Sequence, residues 1–309
     1  MTGQKDCKMD SKQMMGRITG IKHYEIHDGD GVRTTVFLKG CPLRCKWCHN
    51  PENLIKQKQL GFYEEKCILC GACVEVCGKV HSIFEGKHIV NAKDCTFCKK
   101  CVDVCPRNAL TLFGTDITAA ELAEKLAQDE PYYSATGGGV TLSGGEPLMQ
   151  ADFCSEVLRL LKARGINTAV DTCLYAGRDA LEKLVPYTDA FLVDIKAMDS
   201  ALHRKWTGES NELILQNIEY LESIGKRMEI RIPFIPHAND KEMDKIAEYL
   251  QNFKHVSGVK ILAYHNLSEA KYRSLRIPYL LGDVEIPSKK VIEEANQIFI
   301  NHGVNVIRT

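Results

Sequence analysis

The sequence predicts an α/β protein: a partial barrel of six strand–helix units, with a small cysteine-rich α+β unit inserted near its start. Three observations carry this. Six β-rich runs alternate with helical stretches from Arg33 onward, the pattern of βα units on a parallel sheet. Eleven of the fourteen cysteines fall in three tight groups between Cys41 and Cys105. Glycines, carboxylates and basic residues collect where the apolar runs end, and parallel α/β folds gather their chemistry at strand C-terminal ends. Right-handed crossovers curl such a sheet toward a barrel. Periodicity alone, however, leaves an open doubly wound sheet as an alternative.

The elements follow in order. Residues 33–38 form a β-rich run that feeds into the first cysteine group. Thr118 followed by Glu121 has the form of a capping box at the start of a helix over 119–129. Residues 140–142 form a short strand, and an amphipathic helix over 152–164 stops at Gly165. Strands over 167–171, 190–194, 227–232 and 259–262 alternate with helices over 178–185, 212–224 and 241–253. A last helix over 288–301 precedes a β-rich 304–306. The expected division is a polar tail over 1–16, the barrel over 17–61 and 113–309, and the insert over 62–112.

Composition narrows the class. Lys+Arg and Asp+Glu both number 40, so no net charge steers the chain toward nucleic acid or a membrane surface. No run approaches the length of a transmembrane helix, and the polar N-terminus lacks a signal-peptide core. A cytoplasmic monomer is the expectation. Closely spaced Cys-x2-Cys pairs suit metal ligation better than disulfides, and a reducing compartment keeps such thiols available. Cys7, Cys154 and Cys173 fall outside the groups and are expected to be idle or buried thiols.

The first group, Gly40-Cys41-Pro42-Leu43-Arg44-Cys45-Lys46-Trp47-Cys48-His49-Asn50, holds three cysteines and no fourth nearby. Three thiolates can bind three irons of a cubic 4Fe–4S cluster and leave the fourth iron open, which points to chemistry rather than electron storage. Zinc knuckles use four ligands in paired units and fit the spacing poorly. The spacing, with the aromatic Trp47 before the third cysteine, resembles the radical S-adenosylmethionine (radical SAM) superfamily, in which the open iron chelates the methionine moiety. That resemblance implies a partial (β/α)6 barrel.

The second and third groups, Cys67-x2-Cys70-x2-Cys73-x3-Cys77 and Cys95-x2-Cys98-x2-Cys101-x3-Cys105 followed by Pro106, form an internal repeat in which Cys95 answers to Cys67 and Cys105 to Cys77. Both resemble the run of bacterial two-cluster ferredoxins, in which the fourth cysteine crosses to the other cluster. The implied ligand sets are Cys67, Cys70, Cys73 and Cys105 for one, and Cys95, Cys98, Cys101 and Cys77 for the other. Gly78 stands where the first run would carry proline.

Other segments add candidate residues. Gly144-Gly145-Glu146-Pro147 offers close backbone approach and a carboxylate, although the same string makes a plain turn. Asp194 and Lys196, two apart on a strand end, share a face. Asp171-Thr172 and Tyr264-His265 end other strands, and Tyr24, His27, Asp28 and Arg33 precede the first. Together these segments resemble the activating enzymes of glycyl radical enzymes, over nearly all of residues 17–309. That family carries His-Asp-Gly-Pro-Gly-x-Arg before the cluster loop, and this chain has His27-Asp28-Gly29-Asp30-Gly31-Val32-Arg33, with Asp30 in place of proline.

The resemblance implies that Cys41, Cys45 and Cys48 hold the catalytic cluster. It implies that Trp47, Gly144, Gly145, Glu146, Asp171, Asp194, Lys196 and His265 contact SAM, with Glu146 near the amino group. A monovalent cation would lie near Asp171, Thr172 and Asp194. His27, Asp28 and Arg33 would rim the barrel mouth where a partner's peptide loop enters. The implied reaction is reductive cleavage of SAM to methionine and a 5′-deoxyadenosyl radical, which takes a hydrogen from a backbone glycine of a partner glycyl radical enzyme. A reduced flavodoxin or ferredoxin would supply the electron. Rival readings are a radical SAM enzyme acting on a small molecule or peptide, and a plain electron-transfer protein.

Overall fold

The computed structural model describes residues 13–308. Twelve strands and eleven α-helices are found among them. Strands β1 (Met15–Glu25) and β2 (Arg33–Leu38) lead to the cysteine loop. The insert follows, with β3 (Gln59–Phe62), α1 (Ala72–Val76), β4 (His81–Phe84), β5 (Lys87–Val90), α2 (Lys100–Asp103) and β6 (Leu110–Phe113). The main domain resumes with β7 (Thr115–Thr118), α3 (Ala119–Ala127), α4 (Glu130–Thr136) and β8 (Gly139–Gly144). Then come α5 (Ala151–Lys162), β9 (Asn167–Thr172), α6 (Arg178–Leu184), β10 (Ala190–Asp194), α7 (Ser200–Thr207) and α8 (Glu212–Ser223). The chain closes with β11 (Met228–Phe234), α9 (Met243–Leu250), β12 (Val256–Ala263), α10 (Glu269–Leu275) and α11 (Lys289–Asn301).

Eight strands make one sheet in the order β12-β11-β10-β9-β8-β2-β1-β7. The six expected strands, β2 and β8 to β12, run parallel to their neighbours. One cavity touches residues at or just beyond the C-terminal ends of these strands. That convergence is the mark of a curled partial (β/α)6 barrel rather than an open sheet. Apolar faces of α3, α5, α6, α8, α9 and α11 pack against the strands in one continuous core, from Leu122 and Leu126 through Val157, Leu181 and Ile218 to Ile246 and Phe299.

Local chemistry sets several boundaries as expected. Thr118 and Glu121 make the reciprocal capping box, with Glu121 N donating to Thr118 Oγ1 at 3.2 Å and Thr118 N to Glu121 Oε2 at 3.0 Å. Gly165 takes φ +75° beyond the end of α5.

Other features depart from the sequence reading. Met15 already pairs with Thr118, so β1 begins inside the segment expected as tail. Strands β1 and β7 extend the sheet by antiparallel pairing on its β2 side. Helices α4, α7 and α10 of the main domain have no counterpart among the expected elements, and residues 304–306 contribute a single parallel bridge, Val259 to Val306.

In the insert, β3 pairs with β6 and β4 with β5. The sequence repeat is also a backbone repeat. Leu69 and Phe97 have φ +57° and +55°, and Gly71 and Lys99 have φ +80° and +69°, each pair at equivalent positions of the two runs. Each Cys-x2-Cys-x2-Cys turn therefore bends through two left-handed residues before entering α1 or α2.

Candidate active site and cluster sites

The cavity at the strand ends measures about 600 Å³. Cys41, Cys45, Trp47, Cys48, Gly144, Gly145, Asp171, Thr172, Asp194, Lys196 and His265 line it, so nearly all of the predicted barrel site is brought together. The three cysteines sit on the loop after β2. Helix α7 holds one limb of that loop, where Arg44 N donates to Thr207 O at 2.6 Å and Lys46 N to Trp206 O at 3.0 Å. Helix α10 holds the other, where Tyr272 Oη donates to Cys48 O at 3.0 Å and Lys271 Nζ donates to Asn50 Oδ1 at 2.9 Å and Glu52 Oε1 at 2.6 Å. Burial pushes the Cys45 and Cys48 thiols up to about 12.

Across the cavity, Lys196 Nζ donates to Asp194 Oδ2 at 2.6 Å. Burial opposes the Lys196 charge, yet the Asp194 carboxylate, with Cys45 and Cys173 nearby, raises its pKa and keeps it protonated. Asp171 accepts from Ser143 Oγ at 2.5 Å and lies 3.6 Å from Arg231. Burial lifts Asp171 to about 7, against the pull of Arg231 and with the repulsion of Asp194 and Asp28. His265 stacks on His49, ring centroids 4.0 Å apart and planes 22° apart. Buried nitrogens on both rings, His265 Nδ1 and His49 Nε2, have no partner. Trp47 packs with Ile235, Ala238 and Tyr264.

Three expectations need correction. Glu146 is fully buried and does not line the cavity. Its carboxylate accepts from Leu148 N at 3.0 Å, Thr172 Oγ1 at 2.7 Å and Cys173 N at 2.8 Å, so it is a latch between loops. Arg33 is also buried, bonding Thr141 Oγ1 at 2.7 Å, Val140 O at 2.7 Å and Asn167 Oδ1 at 3.0 Å. His27 and Asp28 touch the cavity from below rather than at its mouth. The reason is topological: β1 runs antiparallel to β2, with Glu25 opposite Arg33, so the turn between them lies at the N-terminal end of β2. There Asp28 binds Arg231 at 3.2 Å and Thr35 at 2.7 Å, and Asp30 binds Arg227 just before β11.

Gly144 and Gly145 do line the cavity, but packing is their first requirement. Gly144 takes φ +105°, and a Cβ at either position would strike the backbone of Leu38 or Gly40. Several contributors escaped the sequence reading. Cys173 is buried as expected, but it also lines the cavity, and its hydrogen bond with Cys41 lowers the Cys41 pKa. His49, Lys260 and Asn53 line the cavity too. Cys154 is a core residue, and Cys7 lies outside the described residues.

In the insert, Cys67, Cys70, Cys73 and Cys105 line one small cavity with His88. Cys101 lies among Cys95, Cys77 and Cys98; burial and these neighbours lift its thiol to about 11. Each grouping takes one cysteine from the other run, Cys105 in the first and Cys77 in the second. Cys70 and Cys98 are the exposed member of each set.

The fold and the three-thiol loop define a radical SAM protein, and comparison with known proteins agrees. The family model for the radical SAM superfamily matches residues 92–250, that for a 4Fe–4S single cluster domain residues 27–68, and that for a 4Fe–4S binding domain residues 61–79. Choline trimethylamine-lyase activating enzyme of Oleidesulfovibrio alaskensis is 45% identical over 85% of this chain and 87% of its own. Trans-4-hydroxy-L-proline dehydratase activating enzyme of Clostridioides difficile is 39% identical over 91% of this chain and 95% of its own. The crystal structure of Streptococcus suis SuiB with precursor peptide SuiA shares the fold at TM-score 0.53 and 14% identity, covering 86% of this chain and 45% of that one.

This chain belongs to the activating enzymes of glycyl radical enzymes, within the radical SAM superfamily. Its reaction is the family's: S-adenosylmethionine is cleaved reductively, and a hydrogen is taken from a backbone glycine of a partner enzyme. It carries 4Fe–4S chemistry. Among the described residues no helix is long and apolar enough to cross a membrane.

Proposed function

We propose that the chain uses three 4Fe–4S clusters to activate one glycyl radical enzyme, with the 600 Å³ cavity as its SAM site. One cluster would sit on Cys41, Cys45 and Cys48. The others would sit on Cys67, Cys70, Cys73 and Cys105, and on Cys95, Cys98, Cys101 and Cys77, in an insert over about 62–112. The observation that carries the reading is that three thiols of one loop and the Asp194–Lys196 pair line a single cavity. A cluster held there by three thiolates supplies, when bound and reduced, the electron that breaks the sulfonium.

The chain's own residues do the rest. Lys196, kept charged by Asp194, neutralises the methionine carboxylate. Asp194 already binds Lys196 and Asp171 faces Arg231; the Asp194 side chain, 28% exposed, keeps an edge open to the cavity for the methionine ammonium. A monovalent cation would sit beside Asp171, Thr172 and Asp194, which line the cavity together. The unpartnered nitrogens of His265 and His49 have hydrogen-bonding capacity left for the adenosine, with Trp47 as a side wall. Gly144 and Gly145 bring backbone close to the ligand. His27 and Asp28 close the cavity from below, which leaves the strand C-terminal side as the way in for a glycine loop.

The electron donor in this reading is a reduced flavodoxin or ferredoxin, and the insert clusters relay its electron or help dock the partner. The protein acts as a monomer. The 45% identity to a choline trimethylamine-lyase activating enzyme makes that lyase the first partner to test. The experiment supplies reduced protein, SAM and the partner carrying deuterated glycine. A carbon-centred doublet on the partner and deuterium in 5′-deoxyadenosine are expected. Deuterium arriving from a small metabolite instead would overturn the reading.

A further inference from the structure

Two histidines of the insert take no part in the chemistry above, yet both stand beside its first cysteine set. His88, on β5, lines the cavity of Cys67, Cys70, Cys73 and Cys105. Its Nδ1 lies 3.6 Å from Cys67 Sγ, and its Nε2 lies 3.6 Å from Cys73 Sγ. Phe62 holds the ring from the side, centroids 4.5 Å apart. Behind it, on β4 and away from that cavity, is His81, fully buried, with Nδ1 3.0 Å from His88 Nε2. In the hairpin His81 pairs with Val90 and Ile83 with His88, so the two histidines are diagonal neighbours on one face.

The short contact between the rings selects a tautomer. A neutral imidazole has one N–H. If His88 Nε2 carried it, the bare lone pair of Nδ1 would face the Cys67 sulfur, and His81 would be left with a buried N–H at Nε2, where it has no partner. If His81 Nδ1 carries it, His88 Nε2 accepts, and His88 Nδ1–H points at Cys67. Only this second arrangement fills the contacts with His88 Nε2 and Cys67 and leaves no buried N–H stranded.

We propose that His88 donates Nδ1–H to the Cys67 sulfur of the first insert cluster, with His81 fixing its tautomer, and so raises that cluster's reduction potential above the other's. This rests on the two-cluster reading of the insert. An N–H aimed at a ligating sulfur stabilises the more negative, reduced form. The second set has no equivalent: the other strand pair of the insert, β3 (Gln-Leu-Gly-Phe) with β6 (Leu-Thr-Leu-Phe), carries no histidine. The resting place for an electron in the insert is then the cluster on Cys67, Cys70, Cys73 and Cys105.

The test is a redox titration of the full-length, reconstituted protein followed by electron paramagnetic resonance, with iron counted in each sample. His88→Phe keeps the ring and removes the N–H. One insert midpoint should fall while the others hold and iron content stays at the wild-type value. His88→Gln, which restores an N–H donor, should move that midpoint back up, and His81→Phe should give a smaller fall. Unmoved midpoints at full iron in His88→Phe overturn the proposal alone. Loss of about four irons in His88→Phe also overturns it, since His88 would then be a ligand or a scaffold. Wild-type protein that binds iron for a single cluster removes the two-cluster reading and the proposal with it.

Discussion

Thr172 Oγ1 donates a 2.7 Å hydrogen bond to Glu146 Oε1, tying the end of β9 to the Gly-Gly-Glu turn after β8. The carboxylate of that turn is therefore spent inside the protein. Burial raises the Glu146 pKa, against the hydrogen bonds that favour its charged form. Replacing it with alanine strands the buried donors Thr172 Oγ1, Cys173 N and Leu148 N. Glu146→Ala is expected to lower unfolding free energy by about 2–4 kcal/mol, read from urea melts. Wild-type stability combined with lost SAM binding would return Glu146 to the role of a ligand.

Asp30, which stands where the family carries proline, makes an ion pair with Arg227 at 2.5 Å. The hydrogen bond from Arg227 lowers the Asp30 pKa. A carboxylate whose folded-state value is depressed adds stability that is whole above its unfolded value, near pH 4. That stability is lost as pH falls through the folded value. Both side chains are half exposed, so the gain is modest, about 0.5–1 kcal/mol. Asp30→Asn should be less stable than wild type by that amount at pH 7. The gap should close in strong acid and at 1 M salt, where the Debye length is about 3 Å. A gap that stays constant down the pH scale would contradict the pair.

The six-strand alternation, the cysteine groups and the strand-end polar residues were legible because each rests on local spacing. The β1 strand was not: its second half, Lys22-His23-Tyr24, is exposed, so no alternation marks it. Helices α7 and α10 are short and polar, and what matters in them is contact with the cysteine loop, as between Thr207 and Arg44, which lie far apart along the chain. Arg33 and Glu146 were misread for one reason. Charged residues in a motif suggest a ligand, but a buried charge ringed by internal partners does structural work that spacing does not reveal. The placement of His27 and Asp28 could have been had from topology, since residues that precede a strand lie at its N-terminal end.

Reconstituted protein should bind about twelve irons, four for each 4Fe–4S cluster. Replacing Cys41, Cys45 and Cys48 together with alanine should remove about four and abolish SAM cleavage, leaving the insert loaded. The insert cysteines pack with their own apolar group, Phe62, Val80, Val90 and Leu110, apart from the barrel core. Full iron in the triple variant would show that the loop does not hold a cluster.

Asp194 and Lys196 make unequal demands on the fold. Lys196 is 6% exposed and Asp194 28% in their side chains, so the lysine depends on the aspartate more than the reverse. Asp194→Ala strands a buried ammonium and should cost about 3–5 kcal/mol of stability. Lys196→Met leaves a carboxylate that water still reaches and should cost less. Both remove one charge from the cavity, so both should weaken SAM binding by roughly 10- to 100-fold, the equivalent of about 1.5–3 kcal/mol for one charge-assisted hydrogen bond. Isothermal titration of SAM and urea melts on the same two variants separate the effects. Equal losses of affinity with unequal losses of stability are expected. Unchanged affinity in both variants would make the pair a buried structural ion pair that takes no part in SAM binding.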